Sequence, residues 1–305
     1  MRLERTRQLG PSLLGLMLWR QLQLDDFFGW QVRIGDFNGD SRDDVFLHDP
    51  DTGIWVQCLA DGVGGFTYRS GDVLPPGSLL VSDFTGDSLA DLFVYDATTG
   101  RWSLGVNNGA GAFAYNTSGE WSPGWTVKVA NLDGDNRRDL LLFDPVTGEW
   151  AQAFTVRPGE FAYRRGRWLP GGQVYAVDFD GDGRDDLLRY DAKTGQWGIG
   201  LTVAPGKFEY SGGSWQPGLT IAWGDLNGDG RADLLLYDPA TGWWTRLMSR
   251  KPSGFTGQSG TWSTTWSIVG QRYRCLGKVI EPRRATGFRA SAALAGAPGV
   301  SLGEL

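Results

Sequence analysis

The chain has 305 residues, a formal net charge of −6 and 41% hydrophobic residues, which is enough apolar material for a packed core. The charge is mildly acidic and no segment is strongly basic, which makes nucleic acid a poor partner. No run of about 18 apolar residues occurs, so the sequence predicts no membrane insertion. The 46 glycines, interspersed with short apolar runs, are typical of an all-β protein rich in turns.

The N-terminal segment, residues 1–28, combines a basic start with an apolar stretch at 13–19. This composition is loosely similar to a secretory signal, but Pro11 interrupts it and no small-residue cleavage site follows. A degenerate strand of the domain that follows is the alternative interpretation.

The most informative feature is an internal repeat of 47 or 48 residues. Each of five units opens with a nine-residue acidic segment, which we number as loops 1 to 5. These loops start at Asp36, Asp83, Asn131, Asp178 and Asp225.

The rest of the unit also recurs in register. A short apolar run, as at 140–142, predicts a strand buried on both faces. A turn that begins with Asp and ends with Gly follows, as at 144–148, and favours a hairpin closed by a left-handed residue. The tryptophans after this turn are Trp55, Trp102, Trp150, Trp197 and Trp244. The aromatic residues that close the unit are Trp121, Trp168, Trp215 and Trp262, with Val73 in the first repeat.

This unit predicts four strands that cannot bury both faces of their sheet alone. Neighbouring units must therefore stack, and the length favours the blades of an all-β β-propeller over a solenoid. Five clear repeats occupy residues 29–270. A sixth copy of the first strand, at 265–269, indicates either a sixth hybrid closing blade or a longer ring that was truncated. Residues 271–305 lack the pattern and predict an irregular, flexible tail.

The acidic loops have the spacing of a site for a hard cation. Calcium takes about six to eight oxygen ligands, and alternating side chains in a tightly curled loop can supply them. The predicted ligands at positions 1, 3, 5, 7 (through its carbonyl) and 9 are Asp36, Asn38, Asp40, Arg42 and Asp44 in loop 1; Asp83, Thr85, Asp87, Leu89 and Asp91 in loop 2; Asn131, Asp133, Asp135, Arg137 and Asp139 in loop 3; Asp178, Asp180, Asp182, Arg184 and Asp186 in loop 4; and Asp225, Asn227, Asp229, Arg231 and Asp233 in loop 5.

These loops are not EF-hands, because position 12 is never Glu and strands rather than helices flank them. Loop 4 has four carboxylates and Gly183 at position 6, so we expect it to bind calcium most tightly. Loop 2 has Thr85 and Ser88 at positions 3 and 6, so we expect it to bind most weakly. Without cations the crowded carboxylates would repel one another and oppose folding, which predicts a structural role for up to five Ca²⁺ ions.

With its acidic loop, apolar strand and trailing Gly-Phe, the region 29–270 resembles the FG-GAP/VCBS repeat family, whose calcium-loop blades also occur in integrin α-chain heads. The resemblance implies an extracellular or cell-surface propeller that takes part in adhesion or in carbohydrate or protein recognition. It also implies calcium in the loop between the first two strands of each blade. The five units, rather than seven, argue against an integrin-like function.

No catalytic constellation is evident. The only histidine, His48, takes the place of Tyr95, Phe143, Tyr190 and Tyr237 in the other repeats, and most acids belong to the loops or turns. We therefore expect a non-enzymatic, monomeric ring that recognises a glycan or protein ligand. A scaffold within a secreted polysaccharide-active enzyme or toxin is the alternative.

Overall fold

The computed structural model describes residues 30–71, 73–250, 254–265 and 272–273. This part of the chain is all-β, with no helix. The N-terminal segment 1–28, the sixth copy of the first strand at 266–269 and the tail from 274 onward lie outside the described residues, so the expectations for them stay predictions.

Twenty strands form five sheets of four antiparallel strands, which follow one another along the chain as blades 1 to 5. Blade 1 comprises β1 (Gln31–Gly35), β2 (Asp44–His48), β3 (Trp55–Ala60) and β4 (Phe66–Arg69). Blade 2 comprises β5 (Ser78–Ser82), β6 (Asp91–Tyr95), β7 (Arg101–Asn107) and β8 (Phe113–Glu120). Blade 3 comprises β9 (Thr126–Ala130), β10 (Asp139–Phe143), β11 (Glu149–Arg157) and β12 (Glu160–Arg167).

Blade 4 comprises β13 (Gln173–Val177), β14 (Asp186–Tyr190), β15 (Gln196–Ala204) and β16 (Lys207–Ser214). Blade 5 comprises β17 (Thr220–Gly224), β18 (Asp233–Tyr237), β19 (Trp243–Ser249) and β20 (Phe255–Thr261). A short strand, β21 (Arg272–Tyr273), pairs in parallel with β17. The first strands of successive blades lie side by side, since β1 contacts β5, β5 contacts β9 and β9 contacts β13. The predicted five-bladed propeller of four-stranded sheets is confirmed.

Burial follows the position of a strand within its blade. Every residue of β6, β10 and β14 is buried, which confirms the prediction that the apolar runs after the loops are covered on both faces. The fourth strands are mostly exposed, and β4 is exposed along its whole length. The apolar side chains of the second and third strands therefore form the core, and the outer edge of each blade faces solvent.

The core consists of four clusters, one at each junction between consecutive blades. At the junction of blades 2 and 3, Phe93, Trp102 and Leu104 of blade 2 pack against Leu140 and Leu142 of blade 3. Equivalent clusters join blades 1 and 2, 3 and 4, and 4 and 5. Burial of apolar surface stabilises a fold by about 25 cal/mol per Å². This burial holds neighbouring blades together, because their sheets share few hydrogen bonds.

The turn between the second and third strands has the predicted form. In blade 3 the Gly148 amide donates to the Asp144 carbonyl over 2.8 Å, and the Thr147 hydroxyl donates to the Asp144 carboxylate over 2.7 Å. Gly148 has a φ of 78°, and a Cβ there would lie 2.2 Å from the carbonyl oxygen of Trp168. Glycine is therefore required both for the left-handed backbone and for the close approach of the closing tryptophan.

The closing residue of blade 1 is Leu74 and not Val73. The Leu74 amide donates to the Gly53 carbonyl over 2.9 Å, which is the bond that Trp121 makes to Gly100 in blade 2. Leu74 is buried, whereas Val73 is exposed. The turn glycine and this position are 21 residues apart in blades 1 and 2 and 20 residues apart in blades 3 to 5. The sequence comparison was therefore one residue out in the first unit, where no aromatic marks the position.

One apolar face of the propeller is open. Val32 and Ile34 of β1 are 55% and 61% exposed, although both are apolar. The counterparts of Val32 in blades 2, 4 and 5, namely Leu79, Val174 and Ile221, are at most 2% exposed. The difference arises because each of those blades packs against a preceding blade, whereas no described blade precedes blade 1.

Candidate metal loops and an inter-blade cleft

Each acidic loop connects the first and second strands of its blade and curls around the side chain at position 1. In loop 4 the amides of Gly181 and Gly183 donate to the two carboxylate oxygens of Asp178, over 2.6 and 3.0 Å. Both glycines have positive φ, 74° and 88°. Loops 1 and 2 form the same bonds with Ser41 and Ser88 at position 6, and these serines adopt the left-handed conformation that is rare outside glycine.

Loop 3 differs because Asn131 replaces the first aspartate. Its amide oxygen accepts one backbone bond, from Gly134 over 3.0 Å. Its side-chain nitrogen donates instead to the Gly183 carbonyl of loop 4, over 2.7 Å, and its backbone amide donates to the Asp185 carboxylate, also over 2.7 Å. The asparagine therefore ties loop 3 to loop 4.

The aspartate at position 9 is a buried structural residue in every loop. Asp186 is 1% exposed, and its two oxygens accept bonds from the amides of Phe179, over 2.8 Å, and Thr202, over 2.7 Å. The other four loops repeat this pair of bonds through Asp44, Asp91, Asp139 and Asp233. The carboxylate thus joins the start of the loop to the third strand of the same blade.

Burial raises the pKa of the position-9 carboxyl in loops 2 to 5. The pKa of Asp139 and of Asp186 rises to about 7 and that of Asp91 to about 6, because desolvation disfavours the charged form and neighbouring aspartates add repulsion. The bonds from backbone amides oppose this rise without cancelling it. A divalent cation beside the carboxylates would favour their ionised form.

Loop 4 brings three carboxylates together. Asp178, Asp180 and Asp186 each place one oxygen within 4.8 Å of the others, and among the described residues this is the only group of three acids, histidines or cysteines that does so. A cluster of carboxylate oxygens suits a hard cation such as Ca²⁺. The loop with the most predicted carboxylate ligands is thus also the one in which three of them converge, while the predicted order of affinities stays a prediction.

The side chain at position 7 has a role that the repeat spacing does not reveal. Arg42 and Arg137 pair with the position-5 carboxylates Asp40 and Asp135, over 2.8 and 2.5 Å. Loops 4 and 5 contain the same pairing, of Arg184 with Asp182 and of Arg231 with Asp229. In these four loops the position-5 carboxylate is held by the guanidinium group, and loop 2, with Leu89, has no such pair.

Consecutive loops are hydrogen-bonded to one another. The carbonyl at position 1 of each loop accepts a bond from the amide at position 8 of the next, as in Ala90 to Asp36 over 2.6 Å and Ala232 to Asp178 over 2.8 Å. The same bond joins loops 2 and 3 and loops 3 and 4. The five loops therefore form one continuous series, and an ion that orders one loop also positions the backbone of its neighbour.

A second candidate site lies between blades 3 and 4, and we name it cleft 3/4. It is a cavity of about 520 Å³. Side chains and backbone that line it include Arg167, Trp168, Leu169, Arg189, Gly198 and Tyr210. The Trp168 indole donates to the Tyr210 hydroxyl over 3.2 Å, and Leu169 and Tyr210 are 63% exposed at its rim. An aromatic, largely apolar cavity of this size with a few polar groups is typical of a small-ligand site.

Cleft 3/4 is open because blade 4 departs from the repeat. Its sheet presents Gly198 and Gly200 where blade 3 has Ala151 and Ala153. A Cβ at Gly198 would meet only the carbonyl oxygen of Ser211, at 3.8 Å, so the space above it is free. Arg189 takes the place of apolar residues: its counterparts in the other blades are Leu47, Val94, Leu142 and Leu236.

The preceding junction has a related cleft, which we name cleft 2/3. Its cavity is about 510 Å³ and is lined by Trp121 and Tyr163, whose side chains hydrogen-bond over 2.9 Å. The floor consists of Leu142 and Ala151, and Arg165 lies at the side. The two clefts therefore share an aromatic pair and differ in the polarity of the floor.

His48 is a buried residue of β2, as its place in the repeat predicted. It is 2% exposed, burial lowers the pKa of its imidazole, and neither ring nitrogen has a hydrogen-bond partner among the described residues. At the same position Tyr95 and Tyr190 use their hydroxyls to bind the loop after the fourth strand. No helix capable of spanning a membrane occurs in the described part of the chain.

No protein-family model matches the chain, and no curated protein matches its sequence. Among solved structures, a lectin from Agrocybe aegerita that specifically recognises non-reducing terminal N-acetylglucosamine is similar, with a TM-score of 0.61 and 17% identity over 78% of this chain and 67% of the lectin. The BBS1N structure in complex with ARL6DN (TM-score 0.47, 10% identity, 76% and 68% coverage) and the Vibrio cholerae biofilm matrix protein Bap1 (0.35, 17%, 74% and 38%) are more distant. At these identities the likeness to the lectin shows a shared propeller fold.

Proposed function

We propose that this chain is a calcium-stabilised recognition propeller that binds glycans, with cleft 3/4 as the binding site. The observation that carries the proposal is the cavity itself. Trp168 and Tyr210 flank a pocket that Gly198 leaves open and that Arg189 makes polar at its floor. A saccharide presents apolar ring faces together with many hydroxyls, so it needs this combination of flat aromatic surface and hydrogen-bond donors. A protein ligand is the other possible outcome of the test below.

Calcium binding to the loops is the structural part of the proposal. In loop 4 the ion would be held by Asp178, Asp180 and Asp186, whose oxygens converge within 4.8 Å, together with Asp182 and the Arg184 carbonyl. The other loops would use the residues at the same positions. Bound cations would neutralise the crowded carboxylates and fix the loops on which the blades depend. The pattern supports membership of the FG-GAP/VCBS repeat family.

We further propose that the chain is non-catalytic and acts outside the cell or at its surface. Its described acids lie mainly in the loops and turns, where they already bind backbone amides, and its one histidine is buried. A scaffold role in a secreted polysaccharide-active enzyme or toxin remains the second candidate. Turnover of a polysaccharide without stoichiometric binding would favour that second role.

A sixth, hybrid blade would complete the ring, which we expect to be monomeric. The open face of Val32 and Ile34 is the position that such a blade would cover, because the same face of blades 2, 4 and 5 is buried by a neighbour. The sequence at 265–269 repeats the first strand of a blade and would supply its inner strand. Protection of the β1 amides from hydrogen exchange in the full chain, and loss of that protection after substitution of Ile268 by Asp, would support this arrangement.

The test of the function is a glycan array probed with the full chain, with and without a calcium chelator. N-acetylglucosamine-terminated glycans belong on the array because the similar lectin recognises that sugar. The matched variant is Gly198→Thr, because Thr245 is the counterpart of Gly198 in blade 5. We expect specific binding by the native chain and its loss in the variant, whose melting temperature should not fall. Binding that persists in the variant would show that the site lies outside cleft 3/4. Absence of binding to any glycan would refute the proposed function.

A further inference from the structure

Arg189 is a buried cation at the floor of cleft 3/4. The residue is 8% exposed. Its Nε donates to the Gly171 carbonyl over 3.0 Å, and one terminal nitrogen donates to the Pro170 carbonyl over 2.6 Å. A guanidinium group has five N–H donors, so these two bonds fix its orientation and leave three donors for a ligand.

The Arg189 charge is opposed only at longer range: together with the hydrogen bond from the Lys193 amide, it contributes to lowering the pKa of the Asp191 carboxyl, but it forms no ion pair with it. No ion pair within 4.0 Å engages Arg189 or Arg167 among the described residues. Asp191 is held by its own turn, since the Lys193 amide donates to its carboxylate over 2.9 Å. Burying a charge without a close partner is costly, so an anion that enters the cleft gains an interaction with Arg189 that a neutral group does not.

A second arginine lies at the rim. Arg167 is exposed and lines the cavity, and its Nε donates to the Thr147 carbonyl over 3.0 Å, so its two terminal nitrogens have no hydrogen bond to another described residue. Trp168 lies next to it, and Tyr210 faces it across the cleft. The cleft thus has a charged floor, a charged rim and an aromatic wall between them.

We infer that cleft 3/4 selects a saccharide that carries a carboxylate or a sulfate group. Arg189 binds the anionic group at the floor, Arg167 binds it or a second anionic group at the rim, and the aromatic side chains of Trp168 and Tyr210 contact the sugar ring. Arginine suits this task because its planar fork can donate two parallel bonds to either anion. The inference rests on the proposed function and adds the class of sugar to it.

Cleft 2/3 provides the internal comparison. It has the same hydrogen-bonded aromatic pair, but Leu142 occupies the place of Arg189. The sheet floor of that cleft offers no buried cation, so it gains nothing from an anionic group there. Arg165 also lines cleft 2/3, so only the part of the preference that depends on a buried floor cation should belong to blade 4 and vanish when its floor is made like that of blade 3.

The experiment is calorimetric titration of the full chain in calcium with three matched ligands: a glucuronate-terminated, a galactose-6-sulfate-terminated and a neutral galactose-terminated oligosaccharide. The variants are Arg189→Leu, which copies blade 3, Arg189→Lys, which retains charge, and Arg167→Gln at the exposed rim. We expect the native chain to prefer at least one acidic ligand by about tenfold or more, the range for a hydrogen bond to a charged group. We expect Arg189→Leu to remove the preference, Arg189→Lys to keep part of it, and Arg167→Gln to reduce it without changing the fold.

The outcomes separate this inference from the function on which it rests. Equal affinity for neutral and acidic ligands in the native chain would overturn the inference and leave the glycan site standing. A preference that survives both Arg189→Leu and Arg167→Gln would overturn it as well. Failure of all three ligands and of the array would refute the proposed function. The two acidic ligands show which anion is bound, and added salt should weaken their binding more than that of the neutral sugar.

Discussion

The five acidic loops closely resemble one another, whereas the clefts between blades differ from one junction to the next. Every loop buries the aspartate at position 9 in the same two backbone bonds, and four of the five pair an arginine with the carboxylate at position 5. The floors of the clefts, in contrast, change from Leu142 and Ala151 in blade 3 to Arg189 and Gly198 in blade 4.

The difference has a physical origin. Each loop is hydrogen-bonded to the next, and the same bond recurs at four junctions, so a change in one loop affects the packing of two blades. Cleft 3/4 is lined by residues outside the loops, such as Arg189 and Gly198, so a side chain there can change size or charge without altering a loop. These differences support the proposal that the loops stabilise the fold and that ligands bind in a cleft.

Removal of a position-9 carboxylate should have the largest effect on stability, and it tests the structural role of the loops. Asp186→Ala leaves the buried amides of Phe179 and Thr202 without acceptors, and we expect it to lower the free energy of unfolding by roughly 2–5 kcal/mol. Urea unfolding followed by tryptophan fluorescence, in chelator, measures the loss. Asp182→Ala is the control in the same loop, where loss of the more exposed pair with Arg184 should cost below about 1 kcal/mol. Equal losses would show that position 9 has no special structural role.

Removal of calcium tests the contribution of all five loops to stability. One site at about 100 times its dissociation constant contributes about 2.7 kcal/mol, so a chelator should lower the melting temperature by roughly 5–10 °C for each strongly occupied loop. Differential scanning calorimetry with and without EGTA, with Mg²⁺ as the competing ion, provides the measurement. A melting temperature that does not change with EGTA would show that calcium does not stabilise the fold. That result would not affect the proposal for cleft 3/4.

The parts of the fold that were predictable are those set within one repeat. The Asp-to-Gly turns, the apolar second strands and the nine-residue loops each depend on local backbone preference and alternation, and all of them form as predicted. The five copies made the signal unambiguous, since any single loop resembles an ordinary turn. The position-9 aspartates were predicted as ligands, and their backbone bonds to the third strand were not, because those partners lie 16 residues away.

The candidate cleft was not predicted, because a cavity depends on what two blades jointly leave empty. The sequence does contain a signal for it. Gly198 and Arg189 both depart from the repeat in one blade, and alignment of the units by their strands would have exposed the pair. The pairing of Arg184 with Asp182 was missed for a different reason, since position 7 was considered only for its carbonyl oxygen.

Substitutions in the loops should lower stability, whereas a substitution in cleft 3/4 should raise stability and weaken ligand binding. Gly198→Ala removes backbone freedom in the middle of a strand and meets no atom closer than 3.8 Å, so we expect it to stabilise the fold by about 0.5–1 kcal/mol. The same methyl group occupies the cleft and should weaken saccharide binding. Urea unfolding and calorimetric titration of one preparation measure both effects. Gly200→Ala is the control, because its Cβ would lie 3.2 Å from Tyr210 and should gain less stability.

The smallest effect concerns the arginine pairs of the loops. Arg184→Leu copies loop 2, where Leu89 occupies position 7, and removes an ion pair in which both side chains remain a quarter or more exposed. Such pairs contribute about 0–1 kcal/mol, so stability in chelator should change by no more than that. In calcium the released Asp182 carboxylate is free to turn toward the ion, and we expect affinity at loop 4 to rise slightly. Isothermal titration with Ca²⁺ measures it, and a marked fall in affinity would show that the guanidinium group supports the calcium-binding shape of the loop.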